Sequence, residues 1–125
     1  MSAEDSIVFV IDDDDAVRDS LQLLLESHGM KVAAFASTTD FVRDYRPNNR
    51  ECLILDQNLQ DTTGLAFLAS PAWQTIRIPV ILVTGRGDGR LRDRALAAGA
   101  VAYLDKPLDE ATLVAAIGQA IATRP

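Results

Sequence analysis

An α/β fold, with a parallel sheet covered by helices on both faces, is predicted by three features of the sequence. Five short apolar runs of strand-forming character recur along it, helix-period segments lie between them, and the runs are apolar almost without interruption. Alternating strand and helix call for right-handed crossovers, which leave neighbouring strands parallel. A strand that is apolar at nearly every position is buried on both faces, so helices must cover both.

The strand runs are Ile7 to Ile11, Lys31 to Phe35, Cys52 to Leu55, Val80 to Val83 and Ala102 to Leu104. The clearest helix, Ala16 to His28, places Val17, Leu21, Leu24 and Leu25 on one face, and Gly29 supplies its stop. Asp14 or Asp15 can cap its start. Ser37 with Asp40 three residues on reads as a capping box for the second helix. Asp109 can cap a last helix from Glu110 to Ala122, whose Leu113, Ile117, Ala120 and Ile121 face the sheet. Trp73, in Ser70-Pro-Ala-Trp-Gln-Thr, is expected to be a partly covered loop or helix-end residue.

A chain of 125 residues, 48% apolar and 24% charged, suits one domain spanning 1-125 with a core of about 7-122. Its 18 acidic against 12 basic residues would repel a phosphate backbone, so direct nucleic-acid binding is not expected. Cys52 is alone and leads an apolar run, which reads as a buried free thiol and suits a cytoplasmic setting. Met1 to Ser6 lacks a basic region followed by an apolar stretch, and no window is long enough to span a bilayer. Neither secretion nor a membrane partner is expected. No repeat or low-complexity tract is present, although Arg124-Pro125 could open a linker.

In open parallel sheets, functional groups gather beyond the carboxyl ends of the strands. Here the first strand ends in Asp12-Asp13-Asp14-Asp15, the third in Asp56 and the fourth in Thr84, while the fifth runs into Asp105-Lys106-Pro107. Taken singly, these are turn formers, caps, a strand threonine and a solvated lysine. Taken together they form a site. Carboxylates of Asp12, Asp13 and Asp56 held about 4 Å apart at an effective dielectric near 20 would repel by roughly 4 kcal/mol per pair. Three such pairs rival a whole domain's stability of roughly 5 to 15 kcal/mol. A divalent cation or an ammonium must offset that charge. Oxygen-only ligands favour Mg²⁺, and Lys106 is the available ammonium.

The stretches Ile7-Val-Phe-Val-Ile-Asp-Asp-Asp, Leu53-Ile-Leu-Asp56, Leu82-Val-Thr84-Gly85 and Ala98-Gly-Ala-Val-Ala-Tyr103-Leu-Asp-Lys106-Pro107 resemble, in order and spacing, the receiver domain of two-component response regulators. The likeness runs from Ile7 to Ala122. Thr84-Gly-Arg-Gly-Asp88 and Leu108-Asp109 resemble the nitrogen-fixation regulator subgroup. The resemblance implies a flavodoxin-like (βα)5 fold with strand order 2-1-3-4-5. It implies a phosphoacceptor signalling domain, not an enzyme, in which Asp56 takes a phosphoryl group from a histidine kinase or phosphotransfer protein. Asp13, Asp56 and the main-chain carbonyl of Asn58 would hold Mg²⁺, with Asp12 acting through water. Lys106 and Thr84 would bind the phosphoryl oxygens, and Tyr103 would turn as Thr84 moves. Asn58 and Arg86 would tune the reaction, and the bond before Pro107 would be cis.

The resemblance also places dimer and output contacts on the fourth helix, fifth strand and fifth helix. Arg90 and Arg94 lie one turn apart on the fourth helix, and Ala115, Gly118 and Ala122 form a stripe of small residues on the fifth. A homodimer through this surface is therefore an expectation. In one respect the sequence departs from the family, which commonly has proline at the fourth position after the acceptor, where this chain has Gln60. A less restricted loop is expected there. His28, in the last turn of its helix where an imidazolium suits the dipole, has no evident partner ligand and is not a phosphohistidine candidate. Two other readings exist. A haloacid-dehalogenase-type phosphatase would use Asp13-Asp14-Asp15, but leaves Asp56 unexplained and lacks a later acidic pair. A pseudo-receiver acting without phosphorylation would not need the full set of Asp56, Thr84 and Lys106.

Overall fold

The computed structural model describes residues 6–123; residues 1–5 and 124–125, on which the readings of the N-terminal segment and of Arg124-Pro125 depend, lie outside the described residues. The elements are β1 (Ile7–Ile11), α1 (Asp15–Ser27), β2 (Lys31–Phe35), α2 (Thr38–Asp44), β3 (Glu51–Asp56), α3 (Gly64–Leu68), α4 (Pro71–Ile76), β4 (Val80–Thr84), α5 (Gly89–Ala97), β5 (Ala102–Asp105) and α6 (Glu110–Thr123). All five strands are parallel, in the order β2-β1-β3-β4-β5. The α/β fold and the strand order are as expected. No helix among the described residues is long and apolar enough to cross a membrane.

The helix starts follow the caps read from the sequence. Asp14 accepts from the N–H groups of Ala16 and Val17, Ser37 from that of Asp40, and Asp109 from that of Thr112. The third crossover differs from the single helix a (βα)5 plan supplies. It is split into α3 and α4, because Pro71 cannot donate to a continuing helix and starts a new one capped by Ser70. The fourth and fifth helices of the sequence reading are therefore α5 and α6. Trp73 corrects the expectation of partial cover: it is buried in α4, its ring 5.5 Å from that of Phe67.

Strand alternation divides the interior into two layers. Val8, Val10, Cys52, Ile54, Ile81 and Val83 face α1 and α6, meeting Leu21, Leu25, Leu113 and Ile117. Phe9, Ile11, Leu53, Leu55, Val80 and Leu82 face α2 to α5, meeting Phe41, Phe67, Leu68, Trp73 and Ala95. Cys52 is a buried free thiol, and burial pushes its pKa up to about 12, which leaves it inert as a nucleophile. At the amino end of β3 the fully buried Glu51 carboxylate accepts from the Tyr45 hydroxyl and the Asn48 N–H, fastening the loop before the strand.

Phe41 is fully buried and its ring touches those of Phe9, Phe35, Tyr45 and Phe67 at 5.5, 5.6, 5.4 and 6.2 Å. Phe41→Ala is expected to lower stability in urea unfolding by about 3–5 kcal/mol. Leu23→Ala, at a site 71% exposed, should change it by less than about 0.5 kcal/mol.

Candidate functional site

The register β1 to β3 sets Ile11 opposite Leu55, so the residues that follow, Asp12 and Asp56, arrive side by side at the carboxyl edge of the sheet. A carboxylate oxygen from each of Asp12, Asp13 and Asp56 lies within 4.8 Å of the others. Asp12 and Asp56 are buried, and Asp13 is half-buried. Lys106 Nζ stands 3.0 Å from Asp12 Oδ2 and 3.3 Å from Asp56 Oδ1. The Lys106-Pro107 peptide is cis.

The partners of these oxygens differ, and the difference sorts their roles. Asp12 is satisfied at both: Oδ1 accepts from the Asp14 N–H at 3.0 Å and Oδ2 from Lys106. Asp56 Oδ1 is buried and accepts no well-directed hydrogen bond, although the ammonium is near. No ion pair reaches Asp13 among the described residues. Two carboxylates thus face one spot with unspent acceptor capacity, an arrangement that fits a hard divalent cation. Burial, and then the charge of Asp12, raise the Asp56 pKa above the ordinary carboxylate value, opposed by Lys106. Burial acts to lower the Lys106 pKa. The hydrogen bond and charge of Asp12, with Asp56 behind them, more than offset this, so the ammonium holds its proton above the usual lysine range.

Thr84, at the end of β4, is fully buried, and its Oγ1 accepts from Asn58 Nδ2 at 3.3 Å and from the Arg86 N–H at 3.1 Å. The Arg86 side chain is exposed; its backbone is what meets the threonine. Tyr103 pairs with Leu82 across β4 and β5 and packs in the same layer, that of α2 to α5. Its hydroxyl donates to Asp105 Oδ1 at 3.3 Å, and burial followed by the charge of Asp105 raises its pKa. The ring is seated on Gly87, where an added Cβ would fall 1.4 Å from the tyrosine oxygen. Only glycine leaves that seat free.

The loop after Asp56, which lacks the proline, is tied by hydrogen bonds. Gly64 N–H donates to the Gln57 carbonyl at 3.0 Å, Leu65 N–H to Gln57 Oε1 at 3.0 Å, and Asn58 bridges to Thr63. Thr38 Oγ1 donates to Asp61 Oδ2 at 2.7 Å, tying the loop to α2. Gly64 is required by close approach, since a Cβ there would meet Leu82 Cδ1 at 2.5 Å and the Asp56 carbonyl at 3.0 Å. Gln57 escaped the sequence reading, as did Arg18, which donates from Nη1 to the Asp12 carbonyl at 2.6 Å and pairs with Asp15. Neither lies in an apolar period or a strand-end motif, so no sequence signal marked them.

The remaining candidates lie apart. Arg90 and Arg94 are exposed on α5, and Ala115, Gly118 and Ala122 are exposed on α6, in the opposite layer. A Cβ on Gly118 would meet nothing within 4 Å among the described residues, so no close approach by them explains that glycine. His28, at the end of α1, has Glu110 Oε2 at 3.3 Å from its Nε2.

A family model described as the response regulator receiver domain matches residues 8–118. The chain is 40% identical over 110 residues to transcriptional regulatory protein FixJ of Azorhizobium caulinodans, covering 88% of this chain and 52% of that protein. It is 34% identical over 125 residues to response regulator protein TmoT of Ectopseudomonas mendocina, covering 100% of this chain and 57% of that one. The chain thus spans about half the length of the curated relatives it matches. Among solved structures, response regulator StyR is similar with a TM-score of 0.86 at 34% identity, over 96% of this chain and 61% of that one. The structure named FixJ-N is similar with a TM-score of 0.81 at 32% identity, over 95% of each chain.

The raised Asp56 pKa has a stability consequence. A carboxylate whose folded pKa lies above its unfolded value penalises the fold fully at pH above the folded pKa. The penalty falls as pH drops through the folded pKa and vanishes below the unfolded value near 3.9. Asp56→Asn is therefore expected to stabilise the metal-free protein at pH 7. Thermal unfolding in chelator should show that gain shrinking as the buffer is taken from pH 7 toward pH 4; a variant less stable than wild type at pH 7 contradicts the assignment.

Proposed function

The chain belongs to the response regulator receiver domain family, and from that premise we propose that Asp56 is the phosphoacceptor, charged by a phosphohistidine of a histidine kinase or phosphotransfer protein. The family makes it a phosphoacceptor signalling module and not a catalytic enzyme, which sets the phosphatase reading aside. One observation carries the assignment of the residue. Asp56 is a buried carboxylate with an unsatisfied oxygen, next to a lysine ammonium and inside an acidic cluster. In the transfer an Asp56 oxygen bonds to phosphorus as the phosphorus–nitrogen bond breaks, and the imidazole leaves with the electron pair and takes a proton.

Asp13 and Asp56, with the main-chain carbonyl of Asn58, would hold Mg²⁺. Asp12, both of whose oxygens already accept hydrogen bonds, would act through water. The ion supplies positive charge to the phosphoryl oxygens. Lys106 supplies the same from the protein side, held charged by Asp12. Thr84 Oγ1 accepts two hydrogen bonds from Asn58 and Arg86, which leaves its own O–H to donate to the phosphoryl group. Asn58 must let go for Thr84 to move inward, which is how these two neighbours would tune the step. Tyr103, in the layer of Thr84, would then leave Gly87 and turn toward the vacated space. The surface of α5, β5 and α6, with Arg90, Arg94, Ala115, Gly118 and Ala122, would pass the change to an output or to a second copy of the chain. We read residues 1–125 as one receiver unit working in the cytoplasm, with no direct contact to nucleic acid.

Intact-mass measurement after acetyl phosphate and Mg²⁺ is expected to show one phosphoryl group on the wild type. Asp56→Asn, or chelator, should abolish it; equal labelling of Asp56→Asn places the acceptor elsewhere. A second outcome concerns the switch. Gly87→Ala is expected to expel Tyr103 from its seat, and a crystal structure of the unphosphorylated variant should show the ring in the position that beryllofluoride induces in the wild type. If beryllofluoride leaves Tyr103 of the wild type on Gly87, the proposed coupling fails.

A further inference from the structure

Gln57 follows Asp56 directly and ties both ends of the loop that leaves it. Its backbone N–H donates to the Val83 carbonyl at 2.8 Å, extending the pairing with β4 one residue past the strand. Its carbonyl accepts from Gly64 N–H at 3.0 Å and its side-chain Oε1 from Leu65 N–H at 3.0 Å. One residue thus holds the strand end and satisfies two N–H groups of the first turn of α3, closing residues 57–64 into a ring. Within that ring lies Asn58, whose carbonyl is the one main-chain oxygen assigned to the metal. Gln60 stands where a proline would restrain the backbone covalently, so here the restraint must come from hydrogen bonds.

We propose that Gln57 is a positioning residue for the Mg²⁺-dependent transfer, its side-chain carbonyl fixing the loop so that the Asn58 main-chain oxygen is held beside Asp56. The inference rests on the metal and acceptor roles given under Proposed function. Its bland counterpart is a residue that merely caps α3, and the two differ in what they do to metal affinity. A cap contributes to folding alone. A residue that orients a ligand sets the affinity of the folded protein for the ion, and loss of such an outer-shell partner commonly costs metal sites about 10–100-fold.

Gln57→Met keeps nearly the length and volume of the side chain and removes the acceptor. In calorimetric titration of the full chain with Mg²⁺, this variant is expected to bind about tenfold more weakly. Labelling of Asp56 by acetyl phosphate should be slow at low Mg²⁺ and return to the wild-type rate at saturating Mg²⁺. Gln60 is exposed and its N–H donates no hydrogen bond among the described residues, so Gln60→Pro adds backbone restraint without breaking one. Added to Gln57→Met, it is expected to recover most of the lost affinity. Unchanged Mg²⁺ affinity in Gln57→Met, with only a lower melting temperature, reduces Gln57 to a cap and overturns the proposal. Weakened affinity that Gln60→Pro does not recover overturns it too, because the loss then has a source other than loop freedom. A wild type that neither binds Mg²⁺ nor is labelled overturns the reading of the site itself, a result distinguishable from both.

Discussion

Like charge held at the carboxyl edge of a parallel sheet is the constraint around which the rest of this structure is arranged. β1 and β3 are neighbours, and Ile11 opposite Leu55 brings Asp12 and Asp56 to the edge together. The repulsion cannot be relieved by sliding one strand. A slip of one residue would send Val8 and Val10 into the layer of Phe9 and Ile11 and turn every core side chain the wrong way. The register is locked by two apolar layers, and the acids must be tolerated where it puts them. Compensation therefore comes from groups that reach the edge from outside the pair.

That requirement explains why the compensating group is a lysine and why it follows β5. β4 lies between β5 and β3, so the end of β5 stands roughly 10 Å from that of β3 at the usual strand spacing. A long flexible side chain spans that gap, and Lys106 ends 3.0 Å from Asp12 and 3.3 Å from Asp56. A guanidinium would lock two oxygens in one plane, whereas a compact ammonium can shift between carboxylates as ligands come and go. Asp13 has no ion pair among the described residues, and its carboxylate together with Asp56 Oδ1 makes the cluster receptive to a cation.

Much of this was legible in the sequence because strands buried on both faces leave unbroken apolar runs, and a parallel sheet puts their last residues in one place. Asp12, Asp13, Asp56, Thr84 and Lys106 could be read as a group from that logic alone. What escaped was carried by hydrogen bonds between side chain and main chain. Gln57 to Leu65 and Arg18 to the Asp12 carbonyl follow no period, and each depends on a loop path that residue types do not encode. The division of the third crossover into two helices was not legible for a related reason. Pro71 was visible, but whether a proline kinks a helix, ends it or opens a second one depends on the core beneath, where Trp73 needed a rigid element to set it against Phe67.

The pleat of the sheet limits where a change at the site can travel. Asp56 belongs by alternation with Cys52 and Ile54, on the side of α1 and α6, whereas Thr84 belongs with Val80 and Leu82, on the side of α2 to α5. Lys106 and Thr84 thus approach the acceptor from different layers. The proposed movement of Thr84 would act first on groups of its own layer: the Arg86 backbone, Gly87 and Tyr103, and beyond them α5, which carries Arg90 and Arg94. Ala115, Gly118 and Ala122 lie on α6 in the other layer, and β5, one of the sheet's two edge strands, packs against both α5 and α6. A partner that senses phosphorylation through α6 alone would be reading a face with no direct mechanical link to Thr84. One that straddles β5 and touches α5 would read the side on which Thr84 and Tyr103 sit, which makes β5 the place where the proposed recognition of the charged acceptor would be anchored.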